Sequence, residues 1–241
     1  MGFTQQELAS TAGELRRKIA DFLSKETEPD VLLGSHPLVA FASQRQSIAI
    51  WHGHRIEDHL AEWISKAPNW AARSRERIII NGIEHEIDNV AFNQALGLVL
   101  SVEAKRVWAN QDSDSKASVK RKHDLYMNPM VSPTITAQVG LPGSDFRHFV
   151  FDVYGNTKKG KNGMPIISGD KIGNIFDPII ATYVEWERTV IANAILARLD
   201  LHPQAEVFDR ERLLAAEILA GARALEKSKQ SVLDYIGAHA R

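Results

Sequence analysis

Residues 83–105 read IEHEIDNVAFNQALGLVLSVEAK, and the period of this stretch decides the fold. Just upstream, Arg77-Ile-Ile-Ile runs into Asn81-Gly82, a dipeptide that turns β-hairpins because both residues tolerate positive φ. The pattern predicts a strand ending at Ile80, a returning strand over 83–92, a turn over 93–96 and a third strand over 97–108. Side chains alternate faces along a strand. Leu98, Leu100, Val102 and Ala104 share one face, which must be the core, so Glu103 and Lys105 lie side by side on the other, at the strand's end. In the preceding strand Ile83 and Ile87 share a side and Asp88 takes the opposite one. The turn between the two strands is short enough for Asp88 to sit across from the Glu103–Lys105 pair.

Outward from this hairpin the period becomes helical. Leu8, Leu15, Ile19 and Leu23 mark an amphipathic helix within the first 25 residues, followed by a looser stretch from Glu26 to Pro37. A second helix runs from His52 to Lys66, with Ile56, Leu60, Trp63 and Ile64 on one side and Pro68 beyond its end. On the C-terminal side, a helix opens at Ser113 and runs to about Met127. Pro129, Pro133 and Pro142 predict a loop, Phe146–Tyr154 a fourth strand, and Gly155–Asn174 a glycine- and lysine-rich loop. Residues 176–199 read as a buried helix, and Leu214, Ile218, Leu225, Val232 and Ile236 stripe one last helix over 210–236. The core order is α-β-β-β-α-β.

Composition bounds the function. The 241 residues carry a net charge of −1 and are 44% hydrophobic, enough to close a core. The absence of cysteine excludes disulfide scaffolds, cysteine nucleophiles and thiolate zinc sites. No apolar run reaches the roughly 18 residues of a membrane span, and MGFTQQELASTAGELRRK lacks the apolar stretch of a signal peptide. The expectation is a cytoplasmic protein with no membrane partner.

Asp88, fourteen intervening residues and then Glu103-Ala104-Lys105 resemble the PD-(D/E)XK motif of the restriction-endonuclease-like nuclease superfamily, whose common core has a similar α-β-β-β-α-β order. Ile87 stands where the motif's name has proline. The resemblance implies an α/β (α+β) fold, with a central mixed sheet flanked by helices and with N- and C-terminal helical extensions. It gives a single nuclease domain over 1–241: an extension over 1–48, a catalytic core over 50–155, the Gly/Lys-rich loop over 156–175 and helices over 176–241. It further implies that Asp88, Glu103 and the carbonyl of Ala104 bind Mg²⁺, one or two ions per site, while Lys105 positions or activates the attacking water. A helix glutamate joins them in many members; Glu57 is the candidate and Glu62 the competitor. The activity implied is Mg²⁺-dependent hydrolysis of double-stranded DNA, as a type II restriction endonuclease. The alternatives are a repair, recombination or phage-defence nuclease and, in another class, a non-catalytic DNA-binding module.

Two basic stretches suit a DNA partner. The first includes Lys116, Lys120, Arg121 and Lys122, the second Lys158, Lys159 and Lys161. No nucleotide cofactor is expected. Residues 155–162 nearly spell a phosphate-binding loop, but Asn162 replaces the Ser/Thr that holds Mg²⁺, and Gly163 and Pro165 follow where a helix must begin. His52, His54 and His59 read as helix-entry histidines on a polar face, lacking zinc-ligand spacing. Cutting both strands of a palindrome needs two sites related by a two-fold axis, hence an expected homodimer, with the 210–236 stripe as its candidate interface, the N-terminal helix as the competitor, and packing of the stripe on the chain's own core as the alternative.

Overall fold

The computed structural model describes residues 2–25, 37–155, 163–198, 205–221 and 227–240. The chain divides into two compact units, one made of residues 2–55 and 182–221, the other of 56–181 and 222–241.

The first unit opens with α1 (Gln5–Ser24). Thr4 caps it in a reciprocal box: its Oγ1 accepts from the Glu7 N–H, and the Glu7 carboxylate accepts from the Thr4 N–H at 2.7 Å, satisfying helix-end donors worth about 1 kcal/mol. Leu8, Ala12, Leu15 and Ile19 are buried along it. α2 (Pro37–Ser65) begins in this unit and is much longer than the 52–66 expected, so His52 is a mid-helix residue, not a helix-entry one. Its side chain is buried, with Nε2 3.2 Å from Glu187 Oε1. The same oxygen accepts from Arg55 Nε at 3.1 Å, and Arg55 Nη1 reaches Glu14 at 3.0 Å. Glu187 lies on α5 (Pro178–Arg198), the apolar helix expected over 176–199.

The second unit holds the sheet. β1 (Ala71–Ile80), β2 (Ile83–Asn93) and β3 (Leu98–Lys105) form an antiparallel meander; β4 (Asp145–Asp152) and β5 (Ile166–Ser168) add to it in parallel, in the order β1-β2-β3-β4-β5. The sheet is mixed, as expected, with one strand more. Asn81 and Gly82, at φ 52 and 77, make the hairpin turn.

The parallel β3–β4 pair needs a crossover, which α3 (Ser113–Tyr126) and α4 (Ser132–Gln138) supply. α4 replaces part of the loop expected after Met127. Pro133 sits at the start of that helix, where a missing N–H costs no hydrogen bond. Tyr126, Val131, Ile135 and Val139 pack with Ile78, Ile80, Ile87, Val90, Val99 and Phe146 as one core cluster. The face of β3 that bears Val99, Ser101 and Glu103 is therefore covered, and every residue of β3 before Lys105 is buried.

At the outer edge of β1, the Gln138 carboxamide brackets Ile79: its Oε1 accepts from the Ile79 N–H at 2.8 Å and its Nε2 donates to the Ile79 C=O at 2.7 Å.

The last expected helix is two, α6 (Ala205–Ala220) and α7 (Lys229–Ala238), with Gly221 at φ 74 ending the first. The 210–236 stripe therefore does not form one face. Ile218, Val232 and Ile236 are at most 1% exposed within the chain itself, and Leu225 lies outside the described residues. Among the described residues no helix is long and apolar enough to cross a membrane.

Candidate active site

Asp88 and Glu103 meet where the sheet comes apart. Val90 pairs with Ser101, Ala91 with Leu100 and Phe92 with Val99; continued two residues further, that register sets Asp88 opposite Glu103. The pairing stops at Val90–Ser101 instead. On its other side β2 also loses a rung. Ser74 pairs with Asn89 and Glu76 with Ile87, while Arg75 between them adopts φ 53 and turns its guanidinium to Asp58. Left-handed backbone is uncommon for a residue with a Cβ, so the interruption at this level is built into the strand pair.

The parting frees backbone as well as side chains. The Lys105 carbonyl accepts from the Val153 N–H at 2.9 Å, on the β4 side. Backbone groups of consecutive strand residues point to opposite edges, so the Ala104 carbonyl points toward β2, where the ladder has ended.

Two ammonium groups hold the carboxylates together. Lys105 Nζ lies 2.9 Å from Glu103 Oε1 and 3.2 Å from Glu57 Oε1. Lys122 Nζ lies 3.1 Å from Asp88 Oδ1 and 3.2 Å from Glu103 Oε2. Burial pushes the Asp88 carboxyl above its ordinary value, and the adjoining Glu103 pushes it further against the pull of Lys122. Burial acts on Glu103 in the same sense, yet hydrogen bonding with Asp88 and the charges of Lys105 and Lys122 outweigh it and hold Glu103 below the usual range. Burial opposes charge on both lysines, but the surrounding carboxylates prevail and raise each above its ordinary value.

Glu57, not Glu62, is the helix carboxylate of this cluster; Glu62 is exposed and pairs with His59. The basic residues of α3 part company. Lys116 donates to the Ala109 carbonyl, Lys120 pairs with Asp124, Arg121 is exposed, and only Lys122 enters the carboxylate cluster. Lys158, Lys159 and Lys161 lie outside the described residues, as do most residues of the near phosphate-binding loop.

Beneath Glu103 runs a polar layer that periodicity alone did not single out. Ser101 Oγ is 3.0 Å from His148 Nδ1, the two residues being register partners on β3 and β4. His123 and Tyr126 place their rings against that of His148, whose Nε2 has no partner. Asp152, fully buried at the end of β4, accepts from the Trp108 N–H at 2.7 Å and holds the chain that leaves β3. The signal for Asp152 was an acid ending the β4 run FRHFVFD beside Lys105.

Among the described residues no group of three or more His, Asp or Glu gathers in a way that could hold a metal ion. Mg²⁺ asks for less: one or two carboxylates, with waters and substrate phosphate oxygens completing the shell. Asp88, Glu103 and the Ala104 carbonyl, turned toward β2, fit that donor set. No protein-family model matches the chain, and no curated protein matches it in sequence.

Proposed function

We propose that the protein is a Mg²⁺-dependent endodeoxyribonuclease with Asp88, Glu103 and Lys105 as its catalytic set and Glu57 as the residue that positions Lys105. The observation that carries this reading is the convergence of two carboxylates and an ammonium at the gap between β2 and β3, with a backbone carbonyl turned into the same gap. A phosphodiester is an anion that resists attack by hydroxide, and its leaving oxygen gathers charge. Asp88, Glu103 and the Ala104 carbonyl would hold Mg²⁺, which would supply a Lewis acid and a water of lowered pKa. Lys105, fixed between Glu103 and Glu57, presents a permanent positive charge to the attacking side. Arg121, the exposed basic residue of α3, then contributes a phosphate contact that is independent of sequence.

A type II restriction enzyme acting as a homodimer on double-stranded DNA is the specific form proposed. The test is digestion of phage DNA with Mg²⁺, read on a gel: discrete bands mark a restriction enzyme, a smear a repair-type nuclease. Asp88→Ala and Glu103→Ala should abolish cleavage while DNA binding persists. Lys105→Ala should cost about 3 kcal/mol of barrier, roughly a hundred-fold in rate. Wild-type cleavage by Asp88→Ala rejects the site.

A further inference from the structure

We propose that Lys122 occupies the cation position of the metal-free protein, and that a divalent ion binds by displacing its ammonium from between Asp88 and Glu103. This rests on the metal-dependent reading above. The two lysines of the cluster divide Glu103 between them: Lys105 takes Oε1, and Lys122 takes Oε2 together with Asp88 Oδ1, at almost equal distances. Lys122 already bridges the two carboxylates through one oxygen of each, Asp88 Oδ1 and Glu103 Oε2, and so stands in the space between them where a bridging cation would sit. An ammonium is a compact cation on a flexible stem, so it substitutes for the charge of an ion without its coordination shell.

Charge balance favours exchange over co-occupancy. Glu57, Asp88 and Glu103 face Lys105 and Lys122, leaving one net negative charge. A divalent ion added beside Lys122 would make the cluster net positive. The same ion replacing Lys122 leaves it neutral, which a largely buried site tolerates best. The two lysines are also held differently. Lys105 stands at the end of a strand with its side chain 15% exposed, whereas the Lys122 side chain is 34% exposed on a helix anchored by the buried Val119 and Tyr126. Lys122 can therefore swing to solvent with α3 in place. Once released, its charge is available to an anionic phosphodiester, so ion and DNA reinforce each other's binding.

The test reads Mn²⁺ binding without catalysis. Free Mn²⁺ is titrated by electron paramagnetic resonance against the full chain, with Lys122→Gln, Lys122→Arg and Asp88→Asn as variants. Lys122→Gln should bind Mn²⁺ at least ten-fold more tightly than wild type, Lys122→Arg no more tightly than wild type, and Asp88→Asn not measurably. In the wild-type protein, acetylation of Lys122 by acetic anhydride, followed by peptide mass spectrometry, should rise several-fold when Mn²⁺ is added. Measurable wild-type binding that Lys122→Gln leaves unchanged or weakens overturns the displacement, as does labelling that stays level or falls. Absence of Mn²⁺ binding in both wild type and Lys122→Gln overturns the metal-dependent reading itself.

Discussion

Acid should unfold this protein through a histidine that has no role in the proposed chemistry. His148 is 1% exposed, bonded through Nδ1 to Ser101 and without a partner at Nε2. Burial, with the nearby charges of His123 and Lys122, pushes its imidazole down to about 3. In the unfolded chain the same ring titrates near 6.5. As pH falls through that value the unfolded state takes up a proton that the folded state refuses. Stability is thus fully present above about pH 6.5 and is lost steadily as pH falls toward 3. Between about pH 7.5 and 5 the linkage amounts to about 2 kcal/mol from this one residue. The assay is urea unfolding at both pH values, followed by circular dichroism, on wild type and His148→Asn. The asparagine keeps a hydrogen-bonding partner for Ser101 but cannot gain a proton, so the pH-dependent loss should shrink by about 2 kcal/mol. An equal loss in both proteins refutes the reasoning.

Two further outcomes are expected. Arg55→Met leaves the buried Glu187 carboxylate without its guanidinium and should cost about 3–5 kcal/mol of unfolding free energy; denaturant titration checks it, and a loss under 1 kcal/mol counts against it. Ile218→Asp should destabilise the chain and not merely dissociate an assembly, because Ile218 is 1% exposed within the single chain. Sedimentation run alongside thermal unfolding separates the two.

The residues that made the fold legible are those whose signals are local. Asn81-Gly82 turns the hairpin with its own backbone, and the alternation in LVLSVEAK correctly pairs Glu103 with Lys105 at a strand end. The spacing from Asp88 to Glu103 worked for a related reason, since an antiparallel register fixes which residues oppose one another. What escaped depends on contacts distant in the chain. α4 hid behind prolines that read as loop, although Pro133 occupies the one helical turn that accepts it. The break at Gly221 was invisible because the apolar spacing carries through it. Lys122 was read as a DNA contact by its charge, but helical periodicity gives only the face of α3 it occupies. The carboxylates it meets come from β2 and β3. Arg75 gave no sign of its left-handed backbone, which the pairing around Asp88 imposes.

The Gln138 bracket on Ile79 bears on how the molecule behaves in a crowded solution. β1 is an edge strand, and near its hairpin end it carries Ile79 at 57% exposure. Bare amides flanked by apolar side chains are what a stray strand from another molecule pairs with when sheets grow into aggregates. At Ile79 both the donor and the acceptor are already taken by one carboxamide. A single glutamine on a short helix thus imitates a neighbouring strand for the length of one rung. At this position the rim is closed to recruitment by hydrogen bonding, beside the exposed charge of Arg77 on the same strand.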